Sequence, residues 1–334
     1  MKTLSFSFLF LFFVSILILP GCKQQVPKIG ILFHSFQNPR WVKDKQYLIE
    51  TLTQMGAEVL TEVANNDQQK QIAQAQDMID KGVNVLIVIA VKQDESGGIV
   101  ELAHKKGVKV IAYDRMINNC PLDYYITVNS TYTGKLQASY LTSIRPQGKY
   151  ALIPGSKYDN NSMRIFIGQM SIMQPLMEKG DIQLVYSEFT EAWTAAEGVI
   201  HANNILDQNP DGITGIISGS DAISDGILQV LKERGLEGKV LLSGQDSEAD
   251  NIKALMDGLQ TCDVLKPLKE MARLTSEMAI SLALKKPLTM KFNTESNGKV
   301  LVKSILLEGT LVNKNNIEST VIASGFHTRA EISQ

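Results

Sequence analysis

The feature that most constrains this chain is a regular alternation of short β-branched runs with longer amphipathic stretches. Apolar runs of strand length fall at 27–33 (PKIGILF), 57–64 (AEVLTEVA), 84–90 (NVLIVIA), 109–113 (KVIAY) and 124–129 (YYITVN). A second series follows at 149–154, 182–189, 213–218, 239–243 and 260–265. The intervening stretches have helical period: in 67–81, Ile72, Ala75, Met78 and Ile79 share one face. Strands separated by helices imply α/β architecture, with parallel sheets covered on both faces.

Local signals agree. Lys-Gly-Val at 81–83 and at 106–108 puts glycine where a helix must end in the left-handed conformation. Asp67 and Ser162 are expected N-caps. No Pro- or Ser-rich linker divides the two series, so they read as two Rossmann-like, doubly wound lobes held close by short hinge segments. The tail differs. After a helix-like 267–285, residues 301–313 (LVKSILLEGTLVN) look like strands, and 314–328 have little helical period. Strands returning to lobes already built would make each lobe discontinuous in sequence.

The amino end carries a leader. Lys2 precedes an apolar run from Leu4 to Leu19, too short for a confident membrane span but suited to a signal peptide. It ends in Leu19-Pro20-Gly21-Cys22, which resembles the lipobox of bacterial lipoproteins, where the cysteine becomes the lipidated first residue. A signal peptide cut elsewhere, with Cys22 incidental, is the alternative. Residues 1–21 are set apart as a lipoprotein signal peptide. The mature protein is expected in the periplasm, anchored to the membrane through Cys22.

The remaining length, roughly 310 residues, is enough for two lobes. A net charge of −2 and the absence of basic runs argue against nucleic acid as a partner. Beyond Cys22 only Cys120 and Cys262 occur, which gives neither a disulfide framework nor metal-ligand spacing. They read as two separate thiols, a single disulfide being the alternative.

Open parallel sheets bind ligands beyond the carboxyl ends of their strands. The residues there are Asn38, Pro39, Arg40 and Trp41 after the first run, and Asp114 and Arg115 after the fourth. In the second series they are Asp159 to Asn161, Trp193, Ser220 and Asp221, Gln245 and Asp246, and finally Lys266. Carboxylates, amides and guanidinium groups can each hold two neighbouring hydroxyls of a sugar. Trp41 and Trp193 are the only tryptophans of the chain, and indole rings suit the apolar faces of a pyranose. Each residue also has a plainer reading: Asp221 as a helix N-cap, Asp114 and Arg115 as a solvated pair, Trp41 as core. Their common location at one edge of two sheets favours a carbohydrate site.

Catalysis finds less support. The four histidines, His34, His104, His201 and His327, fall in no motif with a nucleophile or a second ligand. No phosphate-binding loop and no G-x-S-x-G elbow occurs. Gly219-Ser220-Asp221 lacks a matched base. No enzyme, cofactor or metal is expected.

Taken in order, Arg40-Trp41, Tyr113-Asp114-Arg115-Met116-Ile117-Asn118, Asp159-Asn160-Asn161, Gly244-Gln245-Asp246, Lys266-Pro267 and the closing 313–327 (NKNNIESTVIASGFH) carry a resemblance. From about Lys28 to its end the chain resembles the type I sugar-binding proteins of bacterial ABC transporters, and among them the D-xylose-binding kind. Their fold is shared with the effector domains of the LacI repressors. The resemblance implies two lobes joined by three hinge strands: residues 24–133 with 267–303, and residues 134–266 with 304–334. It implies ligand roles for Arg40, Asp114, Arg115, Asp159, Asn161, Asp246 and Lys266, with Trp41 and Trp193 against the ring faces. One position departs, because Ser220 stands where that pattern has an asparagine. A hydroxyl in place of an amide removes one donor–acceptor fork and leaves the identity of the sugar less secure.

The expected partners are therefore a monosaccharide, an aldopentose such as D-xylose, and an ABC permease in the membrane, with the chain acting as a monomer. A sensory lipoprotein reporting to a membrane sensor kinase is the alternative output. A repressor would need a DNA-reading helix-turn-helix where the signal peptide stands.

Overall fold

A computed structural model describes residues 26–333; the expected leader and Cys22 lie outside the described residues. The first lobe begins β1 (Lys28–Phe33), α1 (Arg40–Gln54), β2 (Glu58–Val63), α2 (Gln68–Asp80), β3 (Val85–Val88), α3 (Gly97–Lys105), β4 (Lys109–Tyr113) and β5 (Tyr124–Val128). The chain then crosses to build α4 (Ser130–Ile144), β6 (Gly148–Ile153), α5 (Asn160–Glu178), β7 (Ile182–Ser187), α6 (Ala195–Gln208), β8 (Gly215–Ser218), α7 (Asp221–Glu233), β9 (Leu241–Leu242), α8 (Ala249–Asp257) and β10 (Asp263–Leu265). It returns through α9 (Leu268–Ala283), β11 (Asn293–Ser296) and β12 (Leu301–Leu307), and crosses again into β13 (Thr310–Val312). A wide helical turn at Glu318–Ile322 and the short α10 (Arg329–Ile332) close the chain.

The first sheet has the order β11-β12-β5-β4-β3-β1-β2 and is parallel except for β11, which runs antiparallel to β12. The second, β7-β6-β8-β9, is parallel throughout. β10 and β13 form an antiparallel pair beside it, joined by a bridge between Ser243 and Cys262. The central strands are apolar on both faces because helices cover both. On β1, Ile29, Ile31 and Phe33 enter one core and Leu32 the other. The second sheet likewise separates two cores. This burial is the main stabilising term of both lobes.

Three segments cross between the lobes, after β5, β10 and β12, and they converge at Gly309. A Cβ there would lie 2.6 Å from Cγ1 of Val264 and 3.3 Å from the Leu265 carbonyl oxygen. The Asn129 N–H donates to the Leu307 carbonyl at 2.7 Å, tying the first crossing to the third.

Several local expectations are corrected. Asp67 does cap its helix, but Ser162 lies inside α5, whose cap is Asp159 accepting the Asn161 N–H at 2.9 Å. Asp221 is not a cap either: Ser220 caps α7, and Asp221 is its first helical residue. The expected change of lobe between residues 303 and 304 falls inside β12, which pairs with β5 through Leu307. The stretch 314–328 contains a helical turn, whose Ile317 and Val321 bury against the core of the first lobe. Cys120 and Cys262 are both buried and free.

Candidate functional site

The strand ends of both lobes open onto one cleft of about 640 Å³. All ten side chains named from the sequence as ligand-binding candidates line it: Arg40, Trp41, Asp114, Arg115, Asp159, Asn161, Trp193, Ser220, Asp246 and Lys266. The lobes meet across it through several polar contacts. Arg40 reaches Asp246 at 3.4 Å, Asn161 reaches Asp114, and farther out Arg164 pairs with Glu295 at 2.5 Å.

The adjacency of Asp114 and Arg115 has a backbone cause. Asp114 takes φ 64°, and the Arg115 N–H donates back to the Tyr113 carbonyl at 2.7 Å, a tight three-residue turn. Such a turn is strained for a residue with a side chain, and the surroundings hold it in place. The Asp114 carbonyl accepts from the Tyr125 and Thr127 hydroxyls, each at 3.0 Å, and from Nδ2 of Asn161 at 3.1 Å. Both side chains are thereby delivered to the cleft.

Arg40 is the electrostatic centre of the first wall. Its Nη2 lies 2.6 Å from Asp114 Oδ2, and its Nε lies 3.0 Å from Asp44 Oδ2. Burial alone would depress its pKa, but the charges of Asp114, Asp44 and Asp246 outweigh that and hold the guanidinium well above its ordinary value. Burial likewise opposes ionisation of Asp114, yet Arg40 and Lys266 keep its carboxyl below the usual range. Asp44 is fixed from behind by the Tyr113 hydroxyl. Lys266, from the second crossing, is 2.9 Å from Asp246 Oδ1 and 3.9 Å from Asp114 Oδ2.

Asp246 also stands on strained backbone, with φ 103° there and 53° at Ser247. The residue that braces this turn is Asp263, whose Oδ1 accepts the Ser247 N–H at 3.0 Å and hydroxyl at 2.8 Å. Asp221 sits beside it and accepts the Glu248 N–H at 2.8 Å. Burial and the neighbouring Asp263 push the Asp221 carboxyl well up, so it serves the scaffold and not the cleft. Ser220 lines the cleft, while its hydroxyl accepts the Ile223 N–H at 3.4 Å.

The two tryptophans differ. Trp41 is buried in the core of the first lobe, and the Arg40 guanidinium lies 3.9 Å from its ring centre, so it is a platform for Arg40 as well as cleft wall. Trp193 lies over Gly155, where a Cβ would come within 2.0 Å of Cη2; φ there is +123°. Only glycine leaves the ring that position. The Trp193 indole N–H donates to Asp159 Oδ2 at 3.3 Å.

Sequence reasoning missed several participants. Asp44 follows Arg40 by one helical turn, a spacing that could have shown the pair. His34 and Gln93 line the cleft, and Gln93 follows β3, a strand end the sequence argument passed over. Burial, then the charges of Arg115 and Arg40, hold His34 well below its ordinary pKa, so it is neutral there. His104 and His201 have structural partners, Asp123 at 2.8 Å and Tyr186 at 2.7 Å.

Paired ionic groups thus line a cleft between two doubly wound lobes. Residues 29–287 match the periplasmic binding protein domain. The chain belongs to this family. It is 36% identical to the D-xylose-binding periplasmic protein of Haemophilus influenzae over 306 residues, 91% of this chain and 92% of that one. The protein of the same name from Escherichia coli is also 36% identical, over 305 residues, 91% of this chain and 92% of that one. In fold, the chain is similar to a carbohydrate transporter solute-binding protein from Chloroflexus aurantiacus, solved with D-glucose. The TM-score is 0.84 at 23% identity, covering 92% of this chain and 98% of that one. The family is one of binding proteins, and the chain is a binding protein, not an enzyme.

Proposed function

We propose that the protein is the extracytoplasmic receptor of an ABC transporter, binding a monosaccharide, D-xylose first among them, in the interlobe cleft. The observation that carries this reading is the charge balance of the cleft. The four cations that line it are each already matched: Arg40, Arg115 and Lys266 to carboxylates of Asp114, Asp159 or Asp246, and Lys92 to Glu95 at 2.8 Å. No cation is left over for a phosphate or a sugar acid, whereas paired ionic groups still offer the strong, directional bonds that neutral hydroxyls need. Identity of 36% to the D-xylose-binding proteins supports the pentose. Ser220 is the residue on which we place the departure in sugar preference.

In this reading the sugar first binds one lobe, the other closes through the three crossings, and the closed form is what the permease engages. The leader ending at Cys22 supports a lipid anchor for the mature chain. Calorimetry with a panel of pentoses, hexoses and their phosphates tests the function. Binding of a neutral monosaccharide, with D-xylose among the tightest, is expected, and failure to bind every neutral sugar would overturn the proposal. Intact mass of the mature protein, with acyl chains expected on Cys22, checks the anchor.

A further inference from the structure

We infer that Gln93 is a closure clasp: a positioning residue of the first lobe that locks the Asp159 carboxylate of the second only when the two lobes meet. The inference rests on reading the cleft as the sugar site, and it adds a residue to the closing step.

The geometry is complete on both sides. Gln93 Nε2 donates to Asp159 Oδ1 at 3.2 Å, and Gln93 Oε1 accepts the Asn160 N–H at 3.1 Å. One amide thus engages both a side chain and the backbone at the start of α5, from the opposite lobe. The side chain is 4% exposed. One amide N–H and the amide oxygen are both engaged by the opposite lobe, so the side chain is directed across the lobe interface at Asp159 and Asn160. A neighbouring contact repeats the pattern: Asn160 Nδ2 donates to Asn118 Oδ1 at 3.0 Å.

The clasp is rigid on the side that carries it. The loop after β3 is held by two glutamines of α2: Gln71 Oε1 accepts the Val91 N–H at 3.0 Å, and Gln68 Oε1 accepts the Lys92 N–H at 2.9 Å. The Gln93 carbonyl accepts the Asn118 N–H at 2.9 Å. Opening the lobes would break both side-chain bonds of Gln93 together without disturbing this loop.

The residue that is grasped has two oxygens with different tasks. Asp159 Oδ1 caps α5 through the Asn161 N–H at 2.9 Å and takes the Gln93 amide. Oδ2 is left toward Arg115 Nε at 3.5 Å and the Trp193 indole at 3.3 Å, inside the cleft. The clasp therefore holds Asp159 by the oxygen that does not face the cleft.

The experiment uses the mature chain and the variants Gln93→Ala and Gln93→Glu. Stopped-flow binding of D-xylose should show dissociation from Gln93→Ala accelerated by roughly thirty-fold or more, as expected for two lost hydrogen bonds, one to a charge, with association nearly unchanged. The factor should be the same for every sugar that the wild type binds. A loss that varies from sugar to sugar would overturn the clasp and mark Gln93 as a ligand contact. In Gln93→Glu a second carboxylate faces Asp159, so binding should be weak at neutral pH and recover as the pH falls and the pair takes up a proton.

A sugar-free readout separates failure of the clasp from failure of the cleft assignment. With paired fluorophores, one on each lobe, ligand-free Gln93→Ala should populate the closed distance less than the wild type. Equal closed populations would overturn the clasp, even if sugar binding is confirmed. A wild type that binds no sugar, with the closed populations still different, would overturn the proposed function alone.

Discussion

Asp114 combines two demands that most residues cannot meet together. Its φ of 64° lies in the left-handed region, which non-glycine residues enter at a cost of about 1–2 kcal/mol, least for asparagine and aspartate. Its carboxylate must also face Arg40 at 2.6 Å. Alanine would lose both features at once, so Asp114→Ala confounds the turn with the charge. Asparagine keeps the shape and tolerates the turn, and so isolates the charge. We expect Asp114→Asn to melt within a few degrees of the wild type, because Arg40 retains Asp44 and Asp246. Its sugar affinity should fall roughly ten- to a hundred-fold, the range for a hydrogen bond to a charged group. Calorimetry beside thermal denaturation checks this, and an Asn variant with native affinity would remove Asp114 from the site. Asp114 and the nine residues that line the cleft with it could be named from the sequence because ligands collect at strand ends. It did not show Gln93, although the same rule applied to β3 would have named it. It set Asp246 in the site and read Asp221 as a helix cap, but it could not show that Asp221 instead accepts the Glu248 N–H beside Asp263, since that pairing is made only by the fold.

At the scale of elements, the second lobe presents Asp159 and Asn161 by fixing where α5 begins. Helices α4 and α5 touch backbone to backbone at a reciprocal pair of glycines. A Cβ on Gly134 would lie 2.1 Å from the Ile165 carbonyl oxygen, and one on Gly168 would lie 2.0 Å from that of Thr131. Neither neighbour is the end of a flexible side chain, so a methyl group forces the helices apart. Overpacking of this kind costs typically about 1–3 kcal/mol. Gly168→Ala should therefore lower the denaturant midpoint by a corresponding amount. Because α5 carries Asn161 and its cap Asp159, the same variant should also weaken sugar binding, which Gly→Ala changes on exposed helix ends should not. Unchanged stability and affinity together would mean the helices can separate freely. These contacts were not legible in the sequence: periodicity located α5 but not the glycine that seats it. The N-terminus of α5 was misjudged for a related reason. Asp159, Asn160, Asn161 and Ser162 are four candidate caps in a row, and the choice fell to the residue whose other oxygen is needed in the cleft. The alternation of strands and helices, by contrast, fixed both lobes, because central strands buried on both faces leave little freedom in sequence.

At the scale of the whole molecule, the meeting of the lobes sets Glu248 of the second against Arg40 of the first. Glu248 Oε1 accepts the Arg40 N–H across the lobes at 2.8 Å. Burial, then the nearby charge of Asp246, raises its pKa from 4.5 to about 7, against the opposing pull of Arg40 and Lys43. With the lobes apart the carboxyl reaches water and should titrate near its ordinary value. Closing then takes up a proton between about pH 4.5 and pH 7. The closed form binds more protons than the open one in that window, so the contribution of Glu248 favours closure at its acid end and is lost as the pH rises through 7. His34 works in the opposite sense below about 6.5, since burial favours its neutral form and closing would expel a proton. The two are separated by a variant. Glu248→Gln keeps an oxygen for the Arg40 N–H but cannot titrate. Calorimetry in two buffers of different ionisation heat, at a pH between 6 and 7, should show less proton uptake on sugar binding for Glu248→Gln than for the wild type. The affinity of the variant should also decline less between pH 6 and 8. Equal proton uptake by the two proteins would mean that Glu248 has the same surroundings open and closed, and that the contact with Arg40 does not report the meeting of the lobes.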